Sequence, residues 1–75
     1  MRSDMEALAY LQALGEAGYY WHAARGRLKP TEPLYGVGLY RPEDNGDRIE
    51  ITGECETLRD ATRDLARKLA ERIKH

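Results

Sequence analysis

The chain has no phenylalanine, one tryptophan, one cysteine, two histidines and three prolines in 75 residues. Each shortage excludes something. Without Phe, bulky core volume has to come from Leu, Ile, Tyr and Trp21. One cysteine rules out an internal disulfide, and with two histidines beside it no structural zinc set can be assembled. Neither a metal nor a cofactor is expected. No apolar run approaches the roughly 20 residues that a membrane span needs. The opening Met1-Arg2-Ser3-Asp4 is polar and unlike a secretory leader. A cytoplasmic protein with no membrane partner is the expectation.

What is present fits one folded domain, residues 1–75. Apolar residues make up 41% and charged residues 33%, too balanced for a disordered chain. The net charge of −1 conceals a strong segregation. Residues 1–40 are neutral. Residues 41–56 set two arginines, Arg41 and Arg48, against six carboxylates, Glu43, Asp44, Asp47, Glu50, Glu54 and Glu56, a net −4. Residues 57–75 set six bases against three acids, a net +3.

The clearest pattern is the C-terminal stretch Glu56 to His75. Leu58, Ala61, Leu65, Ala66, Leu69 and Ile73 recur three and four apart with no Gly or Pro between them, which predicts one long amphipathic helix. Thr57 is its expected N-cap, with Asp60 placed to reach back. A first helix opens on the capping box Ser3-x-x-Glu6 and runs to about Ala17, with Ala7, Leu8, Leu11 and Leu14 as its buried stripe and Tyr10 at the margin. Gly18 is the expected left-handed stop.

Between the helices the period changes to two. Tyr19 to Arg25 predicts a strand, with Tyr19, Trp21 and Ala23 on one face and Tyr20, His22 and Ala24 on the other. Gly26 to Pro33 is a connection. Leu34 to Arg41 predicts a second strand, with Tyr35, Val37 and Leu39 on one face. Gly36 and Gly38 share the other face, suggesting a bulge or the close approach of a large group such as an aromatic ring. Asn45-Gly46 signals a hairpin, closed by a third strand from Arg48 to Thr52 with Ile49 and Ile51 inward. Gly53 then releases the chain into the last helix. The fold class is therefore α+β, in the order α-β-β-β-α: a three-stranded antiparallel sheet with both helices packed on one face. The other face is open and carries Tyr20, His22, Tyr40 and Glu50. It is available to a partner or to a second copy, so either a monomer or a homodimer is consistent with the pattern.

No catalytic motif stands out. His22 and Cys55 form no recognisable nucleophile and base, His75 is terminal, and enzyme activity is not expected. Asp44-Asn45-Gly46-Asp47 lacks the loop length and closing ligand of a calcium-binding EF-hand. Two surfaces remain. Glu43, Asp44, Asp47 and Glu50, with the tyrosines Tyr20 and Tyr40, could imitate phosphates and anchor a protein partner. Arg59, Arg63 and Arg67, four apart and widened by Lys68, Arg72 and Lys74, could instead bind phosphates, although Asp60, Asp64 and Glu71 lie at spacings that neutralise them.

The element order resembles the double-stranded-RNA-binding domain, whose second helix opens with Lys-Lys-x-Ala-Lys. With that alanine on Ala61, the lysine positions fall on Leu58, Arg59 and Thr62, and Arg59 alone matches. The resemblance implies nucleic-acid binding through Arg59, Arg63 and Arg67. Trp21 by the first strand and the helix opening Thr57-Leu58…Ala61, within Gly53-Glu54-Cys55-Glu56-Thr57-Leu58-Arg59-Asp60-Ala61, are similar to small α/β proteins of phages and mobile elements. These include phage sandwich-type domains and anti-CRISPR inhibitors. That resemblance implies a protein-binding module that occludes the nucleic-acid-binding surface of a host protein or ribonucleoprotein complex.

Overall fold

The computed structural model describes residues 1–73 and has the expected order. Helix α1 spans Asp4–Glu16, strands β1, β2 and β3 span Tyr20–Arg25, Tyr35–Pro42 and Arg48–Cys55, and helix α2 spans Leu58–Ile73. The sheet runs β1-β2-β3 with both neighbouring pairs antiparallel.

Local chemistry sets each helix end. The Ser3 hydroxyl accepts the Glu6 N–H at 3.2 Å, while the Glu6 carboxylate accepts the N–H of Arg2 at 2.8 Å, one residue before the usual capping-box partner. Gly18 takes φ 98°, its N–H donates to Gly15 C=O, and the Tyr19 N–H donates to Leu14 C=O at 3.0 Å. This is a Schellman stop. Tyr19 thus completes the helix stop, and β1 begins one residue later than expected, at Tyr20. Thr57 caps α2 through the Asp60 N–H at 3.0 Å, but the Asp60 carboxylate turns to Arg59 and Arg63 and completes no box.

Val37, Leu39, Ile49 and Ile51 of the sheet bury against Leu11 of α1 and Ala61, Leu65 and Leu69 of α2. Tyr10, Leu14, Tyr19, Trp21, Tyr35 and Leu58 seal the margins. Two expected core positions lie outside. Leu8 is 41% exposed, because the buried side of α1 runs along Ala7, Tyr10, Leu11 and Leu14. Ile73 is 66% exposed as the last residue of α2. Conversely, Thr62 is fully buried and donates its hydroxyl to Leu58 C=O at 2.8 Å, which lets a polar residue sit among apolar neighbours without an unmet hydrogen bond.

The third strand is longer than expected. It continues through Gly53, which pairs with Val37, to Cys55, which pairs with Tyr35. Gly53 does not end the strand; it lets α2 approach. A Cβ there would lie 2.2 Å from Ala61 C=O and 2.6 Å from Leu65 N. The helix backbone therefore rests close on the sheet backbone at Gly53.

Candidate protein-binding surface

The register brings the expected surface together on the face away from the helices. Tyr20 pairs with Tyr40, and Tyr40 with Glu50, so the three form a row across all three strands. Side chains directly opposed on one face are neighbours, and the Tyr20 and Tyr40 rings are tilted with centroids 6.2 Å apart. Tyr20 is 68% exposed and Tyr40 39%. The next row is His22, Gly38 and Thr52. A Cβ on Gly38 would lie 2.2 Å from His22 Cε1, so the large group that Gly38 admits is the His22 imidazole lying over the strand. Gly36 has open space where its Cβ would be and takes no such neighbour.

The hairpin continues from the tyrosine row. Gly46 N–H donates to Glu43 C=O at 3.2 Å, Glu43 N–H to Asp47 C=O at 2.8 Å, and Asp47 N–H to the Asn45 side chain at 3.0 Å. Gly46 takes φ 88°, and no other residue in the turn has positive φ. The Asn side-chain bond and the left-handed glycine explain why Asn45-Gly46 marks the turn. Its carboxylates are not equivalent. Glu43 is 3.6 Å from Arg41, which also lies over the Tyr19 ring at 4.3 Å, and Glu50 is 3.2 Å from Arg48. Asp44 and Asp47 are exposed and form no ion pair among the described residues.

Glu56 has a different task from the rest of the acidic stretch. It accepts the Leu34 N–H at 2.9 Å and pairs with Arg27 at 3.0 Å, tying the connection between β1 and β2 to the end of β3. These partners, the Leu34 N–H first, hold its carboxyl below the ordinary range. Beside it lies an open cleft of about 350 Å³ lined by Arg27, Pro30, Thr31, Glu32, Pro33, Cys55 and Glu56. Cys55 pairs with Tyr35 and so faces the helices, whereas His22 is on the open face; the two do not meet. Among the described residues no group of His, Cys, Asp and Glu is placed to hold a metal ion, and no helix is long and apolar enough to cross a membrane.

The basic row on α2 is engaged within the molecule. The Arg59 N–H donates to Asp4 at 3.0 Å, and its guanidinium donates to Asp60 at 3.2 Å and to Arg2 C=O at 3.3 Å. Arg63 donates to Met1 C=O and lies 3.7 Å from Asp60. Arg67 bridges Asp64 at 2.9 Å and Glu71 at 3.0 Å. Arg59 and Arg63 thus tie the start of the chain to α2. Lys74 and His75 lie outside the described residues.

Sequence reasoning missed a second line on α2. Lys68 donates to Thr52 C=O at 2.7 Å, Arg72 donates to Arg48 C=O at 3.0 Å, and Asp64 accepts the Glu54 N–H at 3.2 Å. The spacing of four in Asp64, Lys68 and Arg72 was the available signal. Lys68 and then Arg67 hold the Asp64 carboxyl down at about 2.

Comparison with known proteins finds no matching family model, no matching curated protein and no matching solved structure.

Proposed function

We propose that this protein is a binding module, without catalytic activity of its own, that lays an acidic, tyrosine-bearing surface on a basic surface of a protein partner. The observation that carries this reading is the Tyr20–Tyr40–Glu50 row on the uncovered sheet face, running at its β2–β3 side into a hairpin tip with exposed Asp44 and Asp47. Exposed tyrosines supply contact area at little entropic cost and a hydroxyl that can find a partner. Carboxylates around them attract cationic patches and set the orientation of docking. A patch able to accept such a surface is the kind that otherwise binds nucleic-acid phosphates.

On this reading the partner is a host protein or ribonucleoprotein complex, and the protein inhibits it by occupying its nucleic-acid site, as a phage or mobile-element inhibitor of a defence complex does. A cytoplasmic setting suits the free thiol of Cys55. Capture from a host lysate with the tagged chain, followed by mass spectrometry, should identify a nucleic-acid-binding protein. Triple charge reversal at Glu43, Asp44 and Asp47 should abolish that capture; unchanged capture removes the phosphate-mimic reading.

Nucleic-acid binding through Arg59, Arg63 and Arg67 is less well supported, because each guanidinium already has a partner in the chain. A salt titration with duplex RNA and DNA decides it. Phosphate contacts are strongest at low salt, so an absence of binding near about 50 mM salt eliminates this alternative.

A further inference from the structure

The sheet has two free edges, and the fold treats them differently. Gly26 N–H donates to Leu34 C=O at 2.8 Å, which with the register fixes the phase of the β1–β2 ladder. Backbone groups of Tyr20, His22 and Ala24 face β2, and those of Trp21, Ala23 and Arg25 face outward. The corresponding outward groups of β3 belong to Arg48, Glu50, Thr52 and Glu54. There α2 reaches over the edge: Arg72, Lys68 and Asp64 engage Arg48 C=O, Thr52 C=O and Glu54 N–H. Among the described residues, no side chain or backbone group bonds the outward groups of β1.

Strand β1 also lacks the ordinary guards of an edge. It has no proline, no lysine and no interruption of register from Tyr20 to Arg25. Ala23 and Arg25 point to the helix side yet are exposed, so neither helix overhangs them. The connection that follows is drawn away from this edge by Glu56, which holds Arg27 and Leu34 at the end of β3.

We propose that β1 pairs antiparallel with β1 of a second copy, about a two-fold axis at Ala23, joining two sheets into one. In this register every outward N–H of one strand meets an outward C=O of the other: Ala23 faces itself, and Trp21 faces Arg25 of the second copy. The small Ala23 side chains allow close approach at the axis. Arg25, already 5.9 Å from the centre of the Tyr35 ring, meets an indole and not another guanidinium. An axis at Arg25 would oppose two like charges, which is destabilising. An axis at Trp21 would bring in Tyr19, whose N–H is committed to Leu14 C=O. A two-fold, self-complementary contact is the commonest way that copies of one chain associate.

Sedimentation of the full chain over a concentration series up to about 1 mM reads the association directly. The mass should rise from monomer to dimer. Ala23→Pro removes only an outward N–H and leaves the β1–β2 ladder intact; Ala23→Lys opposes two ammonium groups across the axis. Both should remain monomeric, and if Ala23→Pro fails to fold, Ala23→Lys decides. In a Cys55→Ser background, Ala23→Cys should form a linked dimer under mild oxidation, since directly opposed Cα atoms in such a pair are about 5.5 Å apart, within disulfide range. Ala24→Cys, which would face His22 of the second copy, should not. A wild-type monomer throughout, a dimer unaffected by Ala23→Lys, or preferential linking at position 24 would each overturn the proposal. So would a dimer lost on Tyr20→Ala and Tyr40→Ala but kept on Ala23→Lys, because it would pair through the open face.

Discussion

Gly53 and Gly38 sit on opposite faces of one sheet, and each is pressed by a neighbour that a Cβ would meet at 2.2 Å. The difference lies in what presses. On the covered face the neighbour is the α2 backbone at Ala61 and Leu65, fixed by the helix's own hydrogen bonds and by the core beneath it. On the open face it is the His22 side chain, exposed and free to swing aside. One face is committed to holding the fold together. The other carries a tyrosine row, an imidazole and carboxylates that the core does not use.

Substitutions that strike the covered face should have the largest effects. Leu65→Ala, at a fully buried position, should lower unfolding free energy by about 2–5 kcal/mol in a urea titration. In a domain this small that can be most of the stability. Gly53→Ala should lose about 1–3 kcal/mol or more, because the helix must lift or the strand must bend. Gly38→Ala should lose clearly less than Gly53→Ala in the same assay, with the His22 ring resonances shifting as the imidazole moves. Equal losses at the two glycines would break the comparison between the faces.

The smallest structural effects belong to the exposed groups. Tyr20→Ala and Tyr40→Ala should each change stability by no more than about 1 kcal/mol, chiefly from the lost aromatic pair. A larger loss would mean that the open face serves the fold after all. Asp64 gives a pH signature for the guarded edge. Its folded-state pKa of about 2 lies below the ordinary value of 3.8. The stabilisation is therefore present above about pH 4 and is lost as the pH falls towards 2, where the carboxylate protonates. Asp64→Asn should remove that part of the acid dependence, seen as a flatter thermal midpoint between pH 4 and 2.

The helices, the hairpin and the assignment of faces were legible in the sequence because each is set locally. Periods of three to four and of two, Ser3 with Glu6, Gly18 and Asn45-Gly46 act within a few residues of themselves. What could not be read depended on partners distant in sequence. Gly53 looks like a strand terminator until α2 lies across it. Thr62 looks like a surface position until its hydroxyl turns inward to Leu58 C=O. Lys68 and Arg72 look like a charged helix face until β3 runs beneath them.

The candidate surface divides in the same way. That Tyr20 and Tyr40 share the open face follows from alternation, but their direct opposition, with Glu50 alongside, required the register. Glu56 belongs to the acidic stretch by sequence and to the β1–β2 connection by structure. Arg59, Arg63 and Arg67 lie on one helix face as their spacing requires, and the structure adds the ties of Arg59 and Arg63 to Asp4, Arg2 and Met1 at the start of the chain, while Arg67 bridges Asp64 and Glu71.

Hydrogen exchange of the chain with and without its captured partner is the most direct test of which surface binds. Slowed exchange across Tyr20 to His22 and Tyr40 to Glu50, with the outer turns of α2 unchanged, is the expected result. Slowing confined to α2 around Arg59, Arg63 and Arg67, with the open face and hairpin unchanged, would contradict it.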